Sequence, residues 1–223
     1  MYRFLYLARP RADLTLAQFQ QCWRDHSRLA ATCPDVLAEI RGYRQWQVVA
    51  PGEDHVVGVA ETRCADAAAV YRMLECTGTR EVLQPDELRF FATPCRAAGL
   101  VADDAMLCDE GTAGVALDHG CLWLLLRVRA AAADEGATTH NLAALEHRIA
   151  ELQALFDSNA AFAPRALSLG RRDAADESAP FAALLFARFD GAATAAAVAA
   201  AWHAALGPGE NVWQLQRAAP GPQ

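Results

Sequence analysis

Lysine is absent from this chain: all 20 basic residues are Arg. No mechanism that needs a lysine amine is open to it, including a Schiff base to an aldimine cofactor. A GC-rich coding sequence explains the bias more simply, and the Ala-rich run Ala192–Ala205 fits that explanation. An excess of positive charge is also missing. The net charge is -7, so electrostatics offers no case for nucleic acid or an anionic membrane as a partner. Apolar runs of membrane-spanning length are missing too. Those near Cys121–Leu126 and Phe181–Ala187 fall far short of the roughly 20 residues a span needs. Arg3 and Arg9 interrupt the N-terminus too early for a signal peptide. The expectation is a cytoplasmic protein.

Seven cysteines (22, 33, 64, 76, 95, 108 and 121) are scattered, and no two are spaced as Cys-x-x-Cys. This is neither a disulfide framework nor a zinc site. The six histidines contain no His-x-x-x-His or His-Glu-x-x-His pair, so a metal or haem site has no sequence support. The chain has no Gly-x-Gly-x-x-Gly, no Walker-type loop and no Gly-x-Ser-x-Gly elbow. Nucleotide cofactors and serine hydrolysis are therefore not expected, and the cofactor expectation is none.

What the chain does have is apolar material, 53% over 223 residues, enough for one large core or two small ones. The pattern of elements repeats. Tyr2–Ala8 reads as a strand, Thr15–Ala31 as a helix, Arg41–Val49 and His55–Thr62 as a hairpin about the turn Pro51–Asp54. Ala65–Leu74 reads as a second helix and Leu88–Thr93 as a fourth strand. Residues 97–119 read as a linker. The order then starts again: strand Leu122–Val128, helix Asn141–Phe156, strands Arg165–Arg171 and Ala182–Phe189, helix Ala192–Leu206, strand Asn211–Gln216. Each βαββαβ unit predicts a ferredoxin-like α+β fold, a four-stranded antiparallel sheet with both helices on one face. The domains are then 1–96 and 120–223. Their bare sheet faces are expected to pack together as an intrachain pseudo-dimer, and the chain to be a monomer of that kind or a homodimer of such units.

Within the first helix, Thr15 and Gln18 have the spacing of a capping box. Phe19, Trp23, His26, Ala30 and Cys33 then recur at helical spacing on one face. One imidazole sits in an apolar stripe where a helix presses on a sheet. It is either a hydrogen-bonded core histidine or the working group of a pocket.

The segment from Ala8 to Leu29, with Phe19-Gln-Gln-Cys-Trp-Arg-Asp-His26 at its centre, resembles the opening of EthD-type proteins of the dimeric α/β-barrel superfamily. Tyr43–Val49, Val56–Thr62 and Pro85–Phe91 resemble three later segments in the same order, so the resemblance covers residues 2–96. It implies a ligand pocket between the sheet and the helices of a unit. It also implies chemistry of the superfamily's kind: cofactor-free monooxygenation, isomerisation, cyclisation, dehydration or decarboxylation of small aromatic or polyketide-like compounds. By the resemblance His26 is the recurring histidine and the candidate general acid/base, suited to moving a proton on a flat carbonyl substrate. Phe19, Trp23 and Tyr43 are the candidate pocket walls.

Tyr43 and Trp46 lie on opposite faces of their strand, so only one can share the pocket with His26. Glu61 shares a face with Val57 and Val59, and if that face is buried it would orient His26 or act as a second acid at the substrate site. Otherwise it is a strand-end carboxylate in solvent. Aligning the halves by their helices puts His26 opposite about Ala150, which predicts one ligand per chain. The function expected is a cofactor-independent enzyme for a small apolar or aromatic carbonyl compound. The alternatives are a non-catalytic protein that binds a small ligand or stabilises a partner, and a cofactor-free monooxygenase.

Overall fold

The first helix begins where its capping residues put it. In this computed structural model Thr15 Oγ1 accepts from Gln18 N at 3.3 Å, and the Gln18 side chain accepts from Thr15 N at 2.9 Å, so both partners of the capping box are satisfied. Described are residues 1–49, 55–95, 99–103, 105–109, 122–129, 166–171, 181–189 and 211–217, with residues 147, 150, 151, 154, 156–158, 196–201 and 204 in helices. The turn Pro51–Asp54, the stripe Leu142, Leu145, Ile149 and Leu152, the loop Arg172–Ala179, and His119, His140 and His203 lie outside the described residues.

The chain divides into two units, with Met1–Asp103 the main part of the first and Asp104–Arg172 and Pro180–Arg217 forming the second. In the first, strand β1 is Tyr2–Ala8, helix α1 Leu16–Ala30, helix α2 Pro34–Glu39, strand β2 Ile40–Val48, strand β3 Gly58–Cys64 and helix α3 Ala67–Glu75. A π-helical segment Gly78–Leu83 runs into the short helix α4, Gln84–Glu87, and strand β4 is Gly99–Asp103. The sheet order is β4-β1-β3-β2 and every pairing is antiparallel. This is a mixed antiparallel sheet and helix arrangement consistent with a ferredoxin-like fold. In the second unit, β5 is Ala105–Asp109, β6 Leu122–Arg129, β7 Ala166–Arg171, β8 Phe181–Phe189 and β9 Asn211–Arg217, in the antiparallel order β9-β6-β8-β7-β5.

Strand alternation sorts the first sheet into two faces. Phe4, Tyr6, Ala8, Ala60 and Cys64 point to the helices and join one core with Phe19 and Trp23 of α1, and with Val70, Met73 and Leu74 of α3. Burying each of these large side chains contributes about 1.5–3 kcal/mol. The reverse face carries Leu5, Leu7, Trp46 and Val59, which are also buried. Gly58 on β3 marks the tightest approach: a Cβ there would stand 2.6 Å from both the Trp23 ring and the Trp46 carbonyl oxygen. Only glycine lets α1 lie that close to the strand.

Three sequence expectations are corrected. Leu88–Thr93 is not the fourth strand. Pro85 sits in the first turn of α4 with Asp86 and Glu87, a sequence that starts a helix. The chain then turns, and Phe90 and Phe91 are both buried instead of alternating. The extended contact there is a single bridge, Pro10 to Phe91. The fourth strand comes later, and β4 and β5 occupy part of the stretch 97–119 that reads as a linker. Cys33 does not continue the α1 stripe. It caps α2, because Pro34 ends one helix and opens the next.

Candidate functional site

His26 reaches its place through the α1 stripe. Phe19 and Trp23 are buried on the same face, which turns the imidazole, itself 8% exposed, toward the chain that follows the π-helical segment. That segment is pinned by Asp35, whose carboxylate accepts from Gly78 N at 2.8 Å. This bond is the main reason the carboxyl is held below its ordinary range. A Cβ on Gly78 would collide with Asp35 Oδ1, so the register of α4 depends on a glycine at this point.

Helix α4 then delivers two adjacent carboxylates to one imidazole. Asp86 Oδ2 lies 2.9 Å from His26 Nδ1, and Glu87 Oε1 lies 4.0 Å from His26 Nε2. Arg89 Nη1 donates to the other Asp86 oxygen at 2.6 Å. With Asp86 accepting the Nδ1 proton, the neutral ring keeps its lone pair on Nε2. Glu87 is 4% exposed. Its Oε2 accepts from Cys95 N at 2.9 Å, while burial pushes its carboxyl above the usual range. Burial also pushes the Cys95 thiol well above its ordinary value. The rings of Phe90 and Phe91 stand 5.4 and 6.3 Å from the imidazole and keep that side apolar.

A cavity of about 190 Å³ lies between the helix-covered sheet face and α1, α2 and α3, and His26 and Glu87 both line it. Trp23 and Phe91 form apolar wall, with Thr62 on the sheet. Tyr43 and Leu37 also line it, yet are 43% and 46% exposed, so they stand at an apolar mouth. The Tyr43 hydroxyl accepts from Gln45 Nε2 at 2.8 Å. Gln45 Nε2 also donates to Ser27 Oγ at 2.8 Å, tying this end of β2 to α1.

Of the residues singled out from sequence, His26, Trp23 and Tyr43 meet at this cavity. Phe19 does not line it. It is fully buried, packed between Trp23 and the Phe90 and Phe91 rings at 5.5, 5.9 and 5.6 Å, and it acts on the site only by holding them. Trp46 is on the reverse face, as its spacing from Tyr43 requires. Glu61 is there too and cannot orient His26. It is 3% exposed rather than in solvent, and its Oε1 meets Arg63 Nε at 2.8 Å and Arg3 Nη1 at 3.9 Å. Asp86 and Glu87 are the residues sequence reasoning missed. The available signal was an acidic pair just after a proline, the start of a helix rather than a strand. Among the described residues no group of three or more His, Cys, Asp or Glu is arranged to hold a metal ion. None of their helices is long and apolar enough to cross a membrane.

No family model matches the chain, and no curated protein sequence matches it. Solved structures do. A candidate monooxygenase from Fusobacterium nucleatum subsp. nucleatum aligns over 97% of this chain and 91% of its own, with a TM-score of 0.54 at 8% identity. A candidate monooxygenase from Lactobacillus acidophilus aligns over 99% and 96%, with a TM-score of 0.46 at 7% identity. A candidate chlorite dismutase aligns over 99% and 95%, with a TM-score of 0.49 at 6% identity. The chain shares the fold of the Fusobacterium nucleatum structure. At such identity the likeness concerns the fold alone, and it does not single out EthD proteins.

Proposed function

We propose that the first unit is a cofactor-independent catalytic pocket of the EthD kind. In this reading His26 acts as general acid/base on a small apolar or aromatic carbonyl compound. The observation that carries the reading is the imidazole at an apolar cavity with Nδ1 bonded to a carboxylate, which leaves Nε2 as the basic nitrogen. A positioned base of this type contributes about 10²–10⁴-fold to proton transfer. Trp23 and Tyr43 shape the pocket, and the base serves isomerisation, cyclisation, dehydration or decarboxylation alike. The repeated strand orders β4-β1-β3-β2 and β9-β6-β8-β7 support reading the chain as a tandem repeat. A second polar group beside a real cavity favours catalysis over a purely ligand-binding or partner-stabilising role.

The test needs no knowledge of the natural substrate. In D₂O with no added cofactor, the protein should speed exchange of the α-C–H protons of a flat aryl ketone such as 2-tetralone, followed by NMR. His26→Ala should remove that acceleration with the fold retained. Exchange by the variant at the wild-type rate would overturn the role of His26. Cofactor-free monooxygenation is the second reading, favoured by the name carried by the Fusobacterium nucleatum neighbour. Its mark is oxygen consumption with an aromatic phenol and no flavin.

A further inference from the structure

Building on the reading of His26 as the base, we propose that Glu87 is a second catalytic group. It is the acid that protonates the carbonyl oxygen of an uncharged, enolisable ketone held between it and Nε2. The gap of 4.0 Å between Oε1 and Nε2 is too long for a hydrogen bond. Both residues line the cavity, so a ligand reaching this end meets a base and an acid side by side. A ketone presents its α-C–H and its oxygen two bonds apart, which suits such a pair.

The two carboxylates on the imidazole have different surroundings. Asp86 has the Arg89 guanidinium at 2.6 Å and takes the Nδ1 side. Glu87 is buried and faces His26 from α1, Asp86 on its own helix and Cys95 from the segment that follows. The buried Tyr6 hydroxyl of β1 is also close enough to feel its charge. Desolvation outweighs the Cys95 hydrogen bonds and the neighbouring imidazole, so Glu87 holds its proton to higher pH than an ordinary carboxyl. A buried carboxyl that keeps its proton beside a basic nitrogen is suited to act as the acid. Among the described residues lining the cavity none is Arg, and a carboxylate or phosphate ligand would meet the Glu87 carboxyl there with no guanidinium to pair with.

The step balances without a further reactant. Nε2 takes the α-proton, and the C–H pair becomes the C=C bond of the enol. The C=O π pair moves to oxygen, which takes the proton from Glu87 Oε1. The imidazolium and carboxylate left behind stand 4.0 Å apart and stabilise each other. In the return step Nε2–H reprotonates carbon, the enol O–H gives its proton back to the Glu87 carboxylate, and the C=C pair forms the new C–H bond as the C=O bond is restored.

Exchange of 2-tetralone in D₂O tests this with the full chain. Wild type should accelerate exchange, with the rate falling as pH rises through the Glu87 ionisation. Glu87→Gln should lower the rate about 10²-fold and lose that alkaline fall. Glu87→Asp, which draws the acid back from Nε2, should also be slow, and covers poor folding of the amide variant. In a binding arm, 2-naphthol should quench tryptophan fluorescence while 2-naphthoate does not. If Glu87 variants keep the wild-type rate and pH profile while His26→Ala is inactive, Glu87 is not the acid and the base reading stands. Wild-type exchange surviving in His26→Ala would instead remove the base reading. No acceleration by wild type, or tighter binding of naphthoate, would overturn the assignment to neutral enolisable ketones.

Discussion

On one face of the first sheet, His26 and Glu87 stand 4.0 Å apart at the edge of a cavity. On the other, Glu61 lies 2.8 Å from Arg63 and 3.9 Å from Arg3, with Glu61 and Arg3 almost fully buried. Both faces bury ionisable groups. On the reverse face opposite charges meet directly, and the arrangement is a structural one. On the helix face Asp86 bonds one imidazole nitrogen at 2.9 Å, while the other nitrogen and Glu87 border an aromatic-walled cavity with space for a ligand. Buried charge is therefore a poor guide to function by itself. The partner distances are alike on the two faces, and it is the space beside the groups that separates a site from an ion pair.

The largest effect that would break this contrast lies on the reverse face. Glu61→Ala leaves the Arg3 charge buried without this carboxylate, and should cost about 3–5 kcal/mol in urea unfolding. His26→Ala, by comparison, should lower Tm by only a few degrees, about 1 kcal/mol in a chain of this size, while abolishing exchange. A small loss for Glu61→Ala and a large one for His26→Ala would reverse the assignment of the two faces. Gly58→Ala tests the packing between them. Its methyl group must displace the Trp23 ring or the strand, which should cost about 1–3 kcal/mol and weaken 2-naphthol binding through Trp23. Thr15→Ala touches neither face and should cost only about 1 kcal/mol, with exchange unchanged, because it removes a cap and leaves the stripe in place.

Glu87 sharpens the comparison through pH. Its folded pKa is raised above the unfolded value, so its contribution to stability is fully present below the unfolded carboxyl pKa, about 4.3. That contribution is lost as pH rises through the folded value. Wild type should therefore lose stability relative to Glu87→Gln over that window, read as a diverging urea midpoint. Parallel midpoints from pH 4 to 8 would mean that the carboxyl is not desolvated.

The comparison between the units is less direct. Position matching sets Ala150 against His26, but Ala150 is exposed and neighbours the exposed His147–Glu151 pair at 3.3 Å, whereas His26 is buried. The two positions do not occupy equivalent places on their helices, so the missing histidine at 150 carries no weight about the number of sites. Phe156 and Val198, both buried, mark inward faces of the second unit's helices.

Strand positions came out of the sequence well wherever alternation or a β-branched and aromatic run was strong. Leu122–Val128 and Ala182–Phe189 are each within a residue or so of the observed strands. The stretch after α3 was illegible because its order is not periodic. A π-helical segment held by Asp35 through Gly78 has no repeating hydrophobic signal, and the pair Phe90-Phe91 imitates a strand.

The sequence by itself determined α1 and its cap, the placing of His26 among Phe19 and Trp23, and the opposite directions of Tyr43 and Trp46. These follow from fixed local periods of 3.6 and 2 residues. Only the tertiary structure decided which carboxylates serve the imidazole. Asp86 is 60 residues from His26, and no local period relates them. Their meeting depends on where the π-helical turn sets α4 against α1, just as the exclusion of Glu61 depends on which sheet face the helices cover.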